Sequence, residues 1–154
     1  MASEVVVTRD ISAPASTVWA MVSDLTRMGE WSPENTGAKW IKGATGPVVG
    51  AKFQGSNETG GKKWKTVGRV TASDPGERFA FHIVVGPLAI ADWTFSVTPT
   101  DAGCTVRQTF VDRRNKFAQF MGGAATGVKD RNTHNRAGME ATLDALKAAA
   151  ESAS

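Results

Sequence analysis

The fold class follows from residues 78–112, which read RFAFHIVVGPLAIADWTFSVTPTDAGCTVRQTFVD. Apolar and polar residues alternate through three runs here, and the turn residues Gly86-Pro87 and Asp101-Ala102-Gly103 separate these runs. A period of two is typical of β-strands that bury one face. Because the connections are short, neighbouring runs should pair as antiparallel strands. The predicted strands are Arg78–Val85, Ala89–Thr98 and Thr105–Asp112.

The same pattern continues upstream, and helical spacing appears on either side of the strands. Further strands are predicted at Glu4–Ser12, Ala38–Lys42, Lys52–Glu58 and Lys62–Ser73. Two short helices are predicted between the first two strands, beginning at Ser12-Ala13-Pro14 and at Thr26. A C-terminal helix from Val128 to Ala150 would be about 35 Å long, enough to cross a small sheet. The sequence therefore predicts an α+β fold in a single domain, residues 1–154, with a curved seven-stranded antiparallel sheet around the long C-terminal helix.

The composition excludes several classes of protein. Of the 154 residues, 41% are hydrophobic and 21% are charged, which is typical of soluble globular domains and not of disordered chains. No apolar run approaches the ~20 residues of a transmembrane helix, so stable membrane insertion is not expected. The start of the chain lacks a basic and apolar leader and Cys104 is the single cysteine, so we expect a cytoplasmic protein without an internal disulfide. The net charge of +3 is dispersed in small clusters without a docking motif, so nucleic-acid binding is not expected.

Sorting each strand by alternation collects nearly every aromatic ring on one face of the sheet and nearly every charge on the other. Gly55 and Gly68 fall on the aromatic face, which indicates a strongly curved sheet. The C-terminal helix is the one long element available to cover that face. Its apolar stripe, which Asn132 and Asn135 interrupt, consists of Val128, Met139, Leu143, Leu146 and Ala150.

An interior space is therefore predicted between the aromatic face and the interrupted part of the helix. A mostly apolar cavity with a few neutral polar groups is typical of a small-molecule site, so an apolar ligand is expected. A solid core, with its amides bonded to the backbone, is the alternative. The predicted ligand-contacting residues are Phe53, Asn57, Trp64, Thr66, Phe79, Phe81, Trp93, Phe95, Gln108, Phe110, Phe117, Phe120, Met121, Asn132, Asn135 and Met139.

The order of these elements, strand, two short helices, six strands and long helix, is the helix-grip plan. The chain resembles the START-like superfamily (SRPBCC proteins) through Ile11-Ser12-Ala13-Pro14, Val18-Trp19, Asp24, Trp31-Ser32-Pro33, Gly50-Ala51-Lys52-Phe53-Gln54-Gly55-Ser56-Asn57, Trp64, Phe79-Ala80-Phe81, Trp93 and Gly138-Met139-Glu140-Ala141-Thr142-Leu143. It is most similar to small actinobacterial-type members of the polyketide cyclase/dehydrase and lipid-transport group, over about Glu4 to Glu151. The resemblance implies the helix-grip fold. The group includes carriers, cyclases and co-chaperones, so the fold does not fix the function.

Catalysis on a polyketide-like substrate would need an acid or base inside the cavity, and alternation places none there. Glu58, His82 and Asp92 fall on the outward face. His134 lies one position off the buried helix stripe, where a surface histidine is expected and a position at the cavity rim is the alternative. No catalytic residue, metal or cofactor is therefore predicted. The favoured hypothesis is a cytosolic binding or carrier protein for a lipid, polyketide or isoprenoid-like molecule. A polyketide cyclase or dehydratase that orients an enolate with its inward amides is the alternative.

A third hypothesis concerns the outward face of the sheet. Its cations are close to one another on neighbouring strands and would suit an acidic protein partner. A solvated sheet face explains the same pattern without a partner. These cations are Lys52, Lys63, Lys65, Arg69 and Arg107.

The connection before the C-terminal helix is rich in glycine. Gly122, Gly123 and Gly127 interrupt a helical turn at Asn115–Met121 and raise the freedom of the backbone. Phe117, Phe120 and Met121 have no evident partner on a solvated surface. We therefore predict that Phe117–Gly127 is a mobile flap over one end of the cavity.

Overall fold

The computed structural model describes residues 4–128 and 130–153. Its strands are β1 Glu4–Ile11, β2 Asn35–Ile41, β3 Lys52–Thr59, β4 Lys62–Asp74, β5 Arg78–Val85, β6 Leu88–Thr100 and β7 Gly103–Asp112. Its helices are α1 Ala15–Ser23, a 3₁₀ helix Leu25–Glu30, α2 Lys116–Thr126 and α3 Arg131–Ala153. None of the helices in this part of the chain is long and apolar enough to cross a membrane.

The described strands form a seven-stranded antiparallel sheet in the order β1-β7-β6-β5-β4-β3-β2. Strands β2 to β7 pair in sequence, and β1 joins the free side of β7, so the predicted meander is confirmed. The β3–β4 hairpin closes at the pair Thr59 and Lys62 with a two-residue turn. Gly60 and Gly61 have φ of 58° and 82°, the left-handed conformation that such a tight turn requires and that glycine adopts at least cost.

Phe53 packs directly against Gly68 on the inner face of the sheet. These residues are cross-strand partners, and a Cβ placed on Gly68 would lie 2.1 Å from Cζ of Phe53. The Phe53 ring therefore lies flat over the glycine. It also meets Phe81 edge-on, with 5.3 Å between ring centroids. A glycine on the aromatic face thus lets a large ring approach the backbone closely.

Helix α3 packs along the edge strand β1. Arg9 Nε lies 2.8 Å from Asp144 Oδ1, and Lys147 Nζ donates to the backbone oxygen of Asp10 at 2.8 Å. Four residues of the predicted stripe, Met139, Leu143, Leu146 and Ala150, are buried, whereas Val128 lies before the helix and is half-buried. Helix α1 contacts β5, β6 and β7, where Phe79, Val97 and Val106 are buried. One end of the interior is therefore solidly packed.

Most boundaries lie within two residues of the sequence predictions, and the larger differences concern β2, α3 and residues 116–126. Strand β2 begins at Asn35 instead of Ala38, and α3 begins at Arg131 instead of Val128. Residues 116–126 form a continuous helix, so the prediction that glycines break this segment is wrong. Asn115 Oδ1 accepts a hydrogen bond from Ala118 N at 2.8 Å, and Gly127, with φ of 73°, ends the helix. Stabilisation of both ends offsets the cost of about 1 kcal/mol that each internal glycine carries relative to alanine.

Candidate functional site

A cavity of about 930 Å³ lies between the inner face of the sheet and the helices α2 and α3. Strands β3 to β7 supply its wall, and the 3₁₀ helix supplies Leu25 and Met28. Helix α2 lies across one end, where Phe117, Met121 and Ala125 line the space. The interior is therefore packed beneath α1 and hollow beneath α2. The two alternatives predicted from the sequence were a cavity and a solid core, and the structure has a cavity at one end and a solid core at the other.

Aromatic rings dominate the wall because the inward positions of β3 to β7 carry them. Trp93 and Phe110 are neighbours on β6 and β7, with ring centroids 4.8 Å apart and planes inclined at 48°. Phe53 and Phe81 form a second pair, edge to face. Such rings offer flat, rigid apolar surfaces against which another ring system can stack.

Most of the predicted ligand-contacting residues line the cavity: Phe53, Asn57, Trp64, Thr66, Phe81, Trp93, Phe95, Gln108, Phe110, Phe117, Met121, Asn135 and Met139. Three of them do not. Phe79 is fully buried in the packed end, Phe120 is 74% exposed on the solvent side of α2, and Asn132 lies outside the lining. Alternation placed the strand residues correctly, but it could not tell where along a strand the core ends and the cavity begins. That the lining residues bind a ligand stays a prediction.

A charged cluster lies at the mouth of the cavity, centred on Glu34. Pro33 and Glu34 connect the 3₁₀ helix to β2, and Ser32 Oγ accepts from the backbone N–H groups of Glu34 and Asn35 at 3.3 and 3.1 Å. The backbone oxygen of Glu34 accepts from Glu58 N at 2.9 Å. These bonds fix the connection against β3 and direct the Glu34 carboxylate toward α3.

The Glu34 carboxylate has three side-chain donors, one from the end of β3 and two from the first turn of α3. Thr59 Oγ1 donates to Oε2 at 2.6 Å, and Arg131 Nη1 lies 2.9 Å from Oε1 and 3.0 Å from Oε2. His134 Nε2 lies 2.8 Å from Oε2. Arg131 also donates to Thr126 Oγ1 at 2.9 Å. The cluster therefore joins the β3–β4 turn to the end of α2 and the start of α3.

A second ion pair lies where β7 leads into α2. Arg114 Nε and Nη2 donate to the two carboxylate oxygens of Asp112 at 2.9 and 2.8 Å. The side chains are only 11% and 10% exposed, and Arg114 lines the cavity. Arg114 Nη1 makes no hydrogen bond within the described part of the chain.

Both carboxylates are held in the ionised form. Burial by itself would raise the pKa of Glu34, but the hydrogen bond from Thr59, the charge of Arg131 and the bond from His134 outweigh it, so the pKa lies below its ordinary value. Burial likewise opposes ionisation of Asp112, and the bonds from Arg114 lower its pKa. Each lining arginine is thus neutralised by a carboxylate.

Sequence reasoning missed Glu34, Arg131 and Arg114, and it favoured the surface over the cavity rim for His134. The expectation that no acid or histidine lines the cavity is wrong for Glu34 and His134, and also for Glu58, which reaches the rim together with Lys65. Glu34 lies in a connection, where strand alternation gives no direction. His134 is three residues after Arg131, so both share a helix face. The three-residue spacing of Arg131 and His134 could have indicated a polar patch on one face of α3. The prediction instead rested on the apolar residues of that helix.

The other singled-out ionisable groups lie away from the cavity. His82 and Asp92 are cross-strand partners on the outward face, as predicted, with Nδ1 and Oδ1 2.6 Å apart, and Arg113 Nε lies 2.7 Å from Asp92 Oδ2. Cys104 is fully buried, and burial raises the pKa of its thiol. Among the residues that the structure describes, no three His, Cys, Asp or Glu side chains come together as metal ligands.

Comparison with known proteins gives one family match and several similar structures. The sequence profile of the family described as polyketide cyclase/dehydrase and lipid transport matches residues 2–151. A polyketide-cyclase-like protein of Corynebacterium glutamicum is 28% identical, with a TM-score of 0.64 over 96% of this chain and 90% of that one. A search of curated protein sequences found no match.

Two more distant structures show the same fold. The di-domain ARO/CYC protein StfQ of the steffimycin biosynthetic pathway is 16% identical, with a TM-score of 0.75 over 99% of this chain and 51% of that one. A Staphylococcus aureus protein of unknown function is 12% identical, with a TM-score of 0.71 over 99% of this chain and 96% of that one. The helix-grip architecture inferred from the order of elements is confirmed.

Proposed function

Since the chain belongs to the polyketide cyclase/dehydrase and lipid transport family, we propose that it binds and carries one apolar, ring-containing small molecule in the cavity. The observation that supports this most directly is the volume of about 930 Å³ walled by aromatic side chains. Apolar surface that a ligand buries there contributes about 25 cal/mol per Å². Flat rings suit the wall better than a flexible chain, because they lose less conformational entropy when they are bound.

The charges at the mouth support a neutral ligand. Arg131 is paired with Glu34, and Arg114 with Asp112, so neither cation is available as a full counter-charge for an anionic head group. Displacing either carboxylate would leave a second buried charge without its partner. The proposed ligand is therefore neutral, with polar groups that accept or donate single hydrogen bonds.

Two phenylalanines on α2 give a matched test of the proposal. Phe117 lines the cavity, whereas Phe120, one turn along the same helix, faces solvent. Both are more than half exposed, at 62% and 74%, so an aspartate at either position leaves the packed core intact. With the neutral fluorescent probe N-phenyl-1-naphthylamine, we expect Phe117→Asp to weaken binding about tenfold, because it places a carboxylate against the apolar ligand. Phe120→Asp should bind like the wild type. Equal binding by both variants, or no saturable binding by the wild type, would count against the proposal.

A catalytic function is the second candidate, and His134 favours it. The Glu34 carboxylate bonds to Nε2 and holds a proton there, which leaves Nδ1 as the basic nitrogen of the ring. A base at the mouth could take a proton from a carbon next to a carbonyl group, the first step of an aldol cyclisation. In this reading the C–H bond breaks, the proton goes to Nδ1 and the electron pair forms an enolate, whose oxygen the free N–H of Arg114 would stabilise.

Deuterium exchange separates the carrier from the enzyme. The ketone 2-tetralone exchanges its α-hydrogens in D₂O, and NMR follows the exchange directly. An enzyme should accelerate exchange beyond the rate given by free imidazole at the same concentration, and His134→Gln should abolish the acceleration while the probe still binds. Absence of any acceleration by a wild-type protein that binds 2-tetralone would refute this candidate and leave the carrier.

A further inference from the structure

Gln108 is a buried polar residue in the middle of an apolar surface. It lies on β7 between the cross-strand partners Phe95 and Val7, and its neighbours on the same face are Val106 and Phe110. The residue is 5% exposed and lines the cavity. Its Oε1 atom has no hydrogen-bond partner among the residues that the structure describes. An unpaired buried amide oxygen costs about 1–3 kcal/mol, which leucine or methionine would avoid while filling the same volume.

From this arrangement we infer that Gln108 is the anchor for a hydrogen-bond donor, a hydroxyl group in the simplest case, at the buried end of the ligand. The inference rests on the proposed function and makes it more specific. Oε1 is shielded from the cavity in this structure, so the Gln108 side chain has to rotate to present it to a ligand. The rotation breaks no side-chain hydrogen bond, because Gln108 makes none among the described residues, and a hydroxyl that donates to Oε1 then satisfies the acceptor. An acyl chain has no donor at its buried end and would leave Oε1 unpaired.

The position of Gln108 also sets the layout of the ligand. Asp112 lies four residues after Gln108 along β7, which corresponds to about 13 Å at 3.3 Å per residue. Arg114, with its free Nη1, lies just beyond. Between the two ends lie Trp93 and Phe110, whose rings are 4.8 Å apart. The ligand class is therefore a hydroxylated multi-ring molecule, with a donor at the deep end, rings in the middle and an acceptor such as a carbonyl oxygen at the mouth.

The experiment is a thermodynamic cycle in which two ligands are each measured with two proteins, the wild type and Gln108→Leu. The ligands are 2-naphthol and 2-methylnaphthalene, which have similar shape and differ in the donor, and each displaces N-phenyl-1-naphthylamine from the cavity. Because the two ligands differ in hydrophobicity, the measured quantity is the ratio of their dissociation constants in each protein. We expect Gln108→Leu to reduce the preference for 2-naphthol about five- to tenfold, the equivalent of one hydrogen bond.

The matched control is Gln54→Leu, which makes the same change on the outward side of β3 and should leave the ratio unchanged. Gln108→Leu should also raise the melting temperature, because it removes an unpaired buried acceptor. An unchanged ratio in Gln108→Leu, with both ligands still bound, would overturn the inference and indicate that water satisfies the amide. Failure of both ligands to bind the wild type would instead refute the proposed function.

Discussion

Replacing Gly123 by alanine tests whether α2 opens by unfolding when a ligand enters or leaves the cavity. The helix covers one end of the cavity, yet few of its side chains are buried: Phe117 and Met121 are 62% and 48% exposed. Elements with little buried apolar surface open at low free energy. Gly123 lies inside the helix, and a Cβ at this position would meet nothing nearer than the backbone oxygen of Val128 at 3.6 Å.

The size of the effect follows from helix propensity. Alanine is more favourable than glycine by about 0.8–1.0 kcal/mol in a helix interior, and the contact at 3.6 Å adds no strain. If exchange requires α2 to unfold, the open state becomes about four- to fivefold less populated. Association and dissociation then slow by the same factor, and the dissociation constant stays unchanged. Stopped-flow fluorescence with N-phenyl-1-naphthylamine measures both rates, with 2-naphthol in excess as the displacing ligand.

Two variants complete the design. Ala124→Gly changes the neighbouring exposed position in α2, which does not line the cavity, and should accelerate both rates about four- to fivefold. Ala148→Gly makes the same change at an exposed position of α3 and should lower stability without changing the rates. Unchanged rates in Gly123→Ala and Ala124→Gly, together with the expected shifts in stability, would refute the opening of α2. The predicted flap would then be a fixed part of the wall.

Two further predictions concern the sheet and the charged cluster. Gly68→Ala should cost about 1–3 kcal/mol in the free energy of unfolding, because its Cβ would collide with the Phe53 ring. Phe53→Leu should recover part of that loss, and additive effects in urea denaturation of the double variant would contradict the contact. Glu34→Gln should lower stability by about 2 kcal/mol near neutral pH, since it removes the charge from the bonds with Arg131 and His134. Because the pKa of Glu34 is lowered by folding, this contribution is present above the ordinary glutamate pKa and is lost as the pH falls through the lower, folded value. The two proteins should therefore converge in stability in acid, and a constant difference at every pH would contradict the assignment.

Sequence periodicity predicted the sheet because strand alternation is a local property. The inward positions of β5, β6 and β7 carry Phe81, Trp93 and Phe110, and all three line the cavity. Turn chemistry predicted the antiparallel order, since Gly60-Gly61 permits a two-residue hairpin. The same local rules were misleading for residues 116–126. Glycine count suggested a broken segment there, but the Asn115 cap stabilises a helix.

The sequence by itself therefore determined the family of architectures and the aromatic face of the sheet, and the apolar ligand stays a prediction. The charged mouth was decided by the tertiary structure. Glu34 comes from a connection, Thr59 from a hairpin and His134 from a helix 100 residues further along the chain, and they meet only when α3 packs against the sheet. No local period relates such residues, because hydrogen bonds between distant segments depend on how whole elements dock. The boundary between packed core and cavity was decided in the same way: α1 covers Phe79 and leaves Phe81, two residues along the same strand, to line open space.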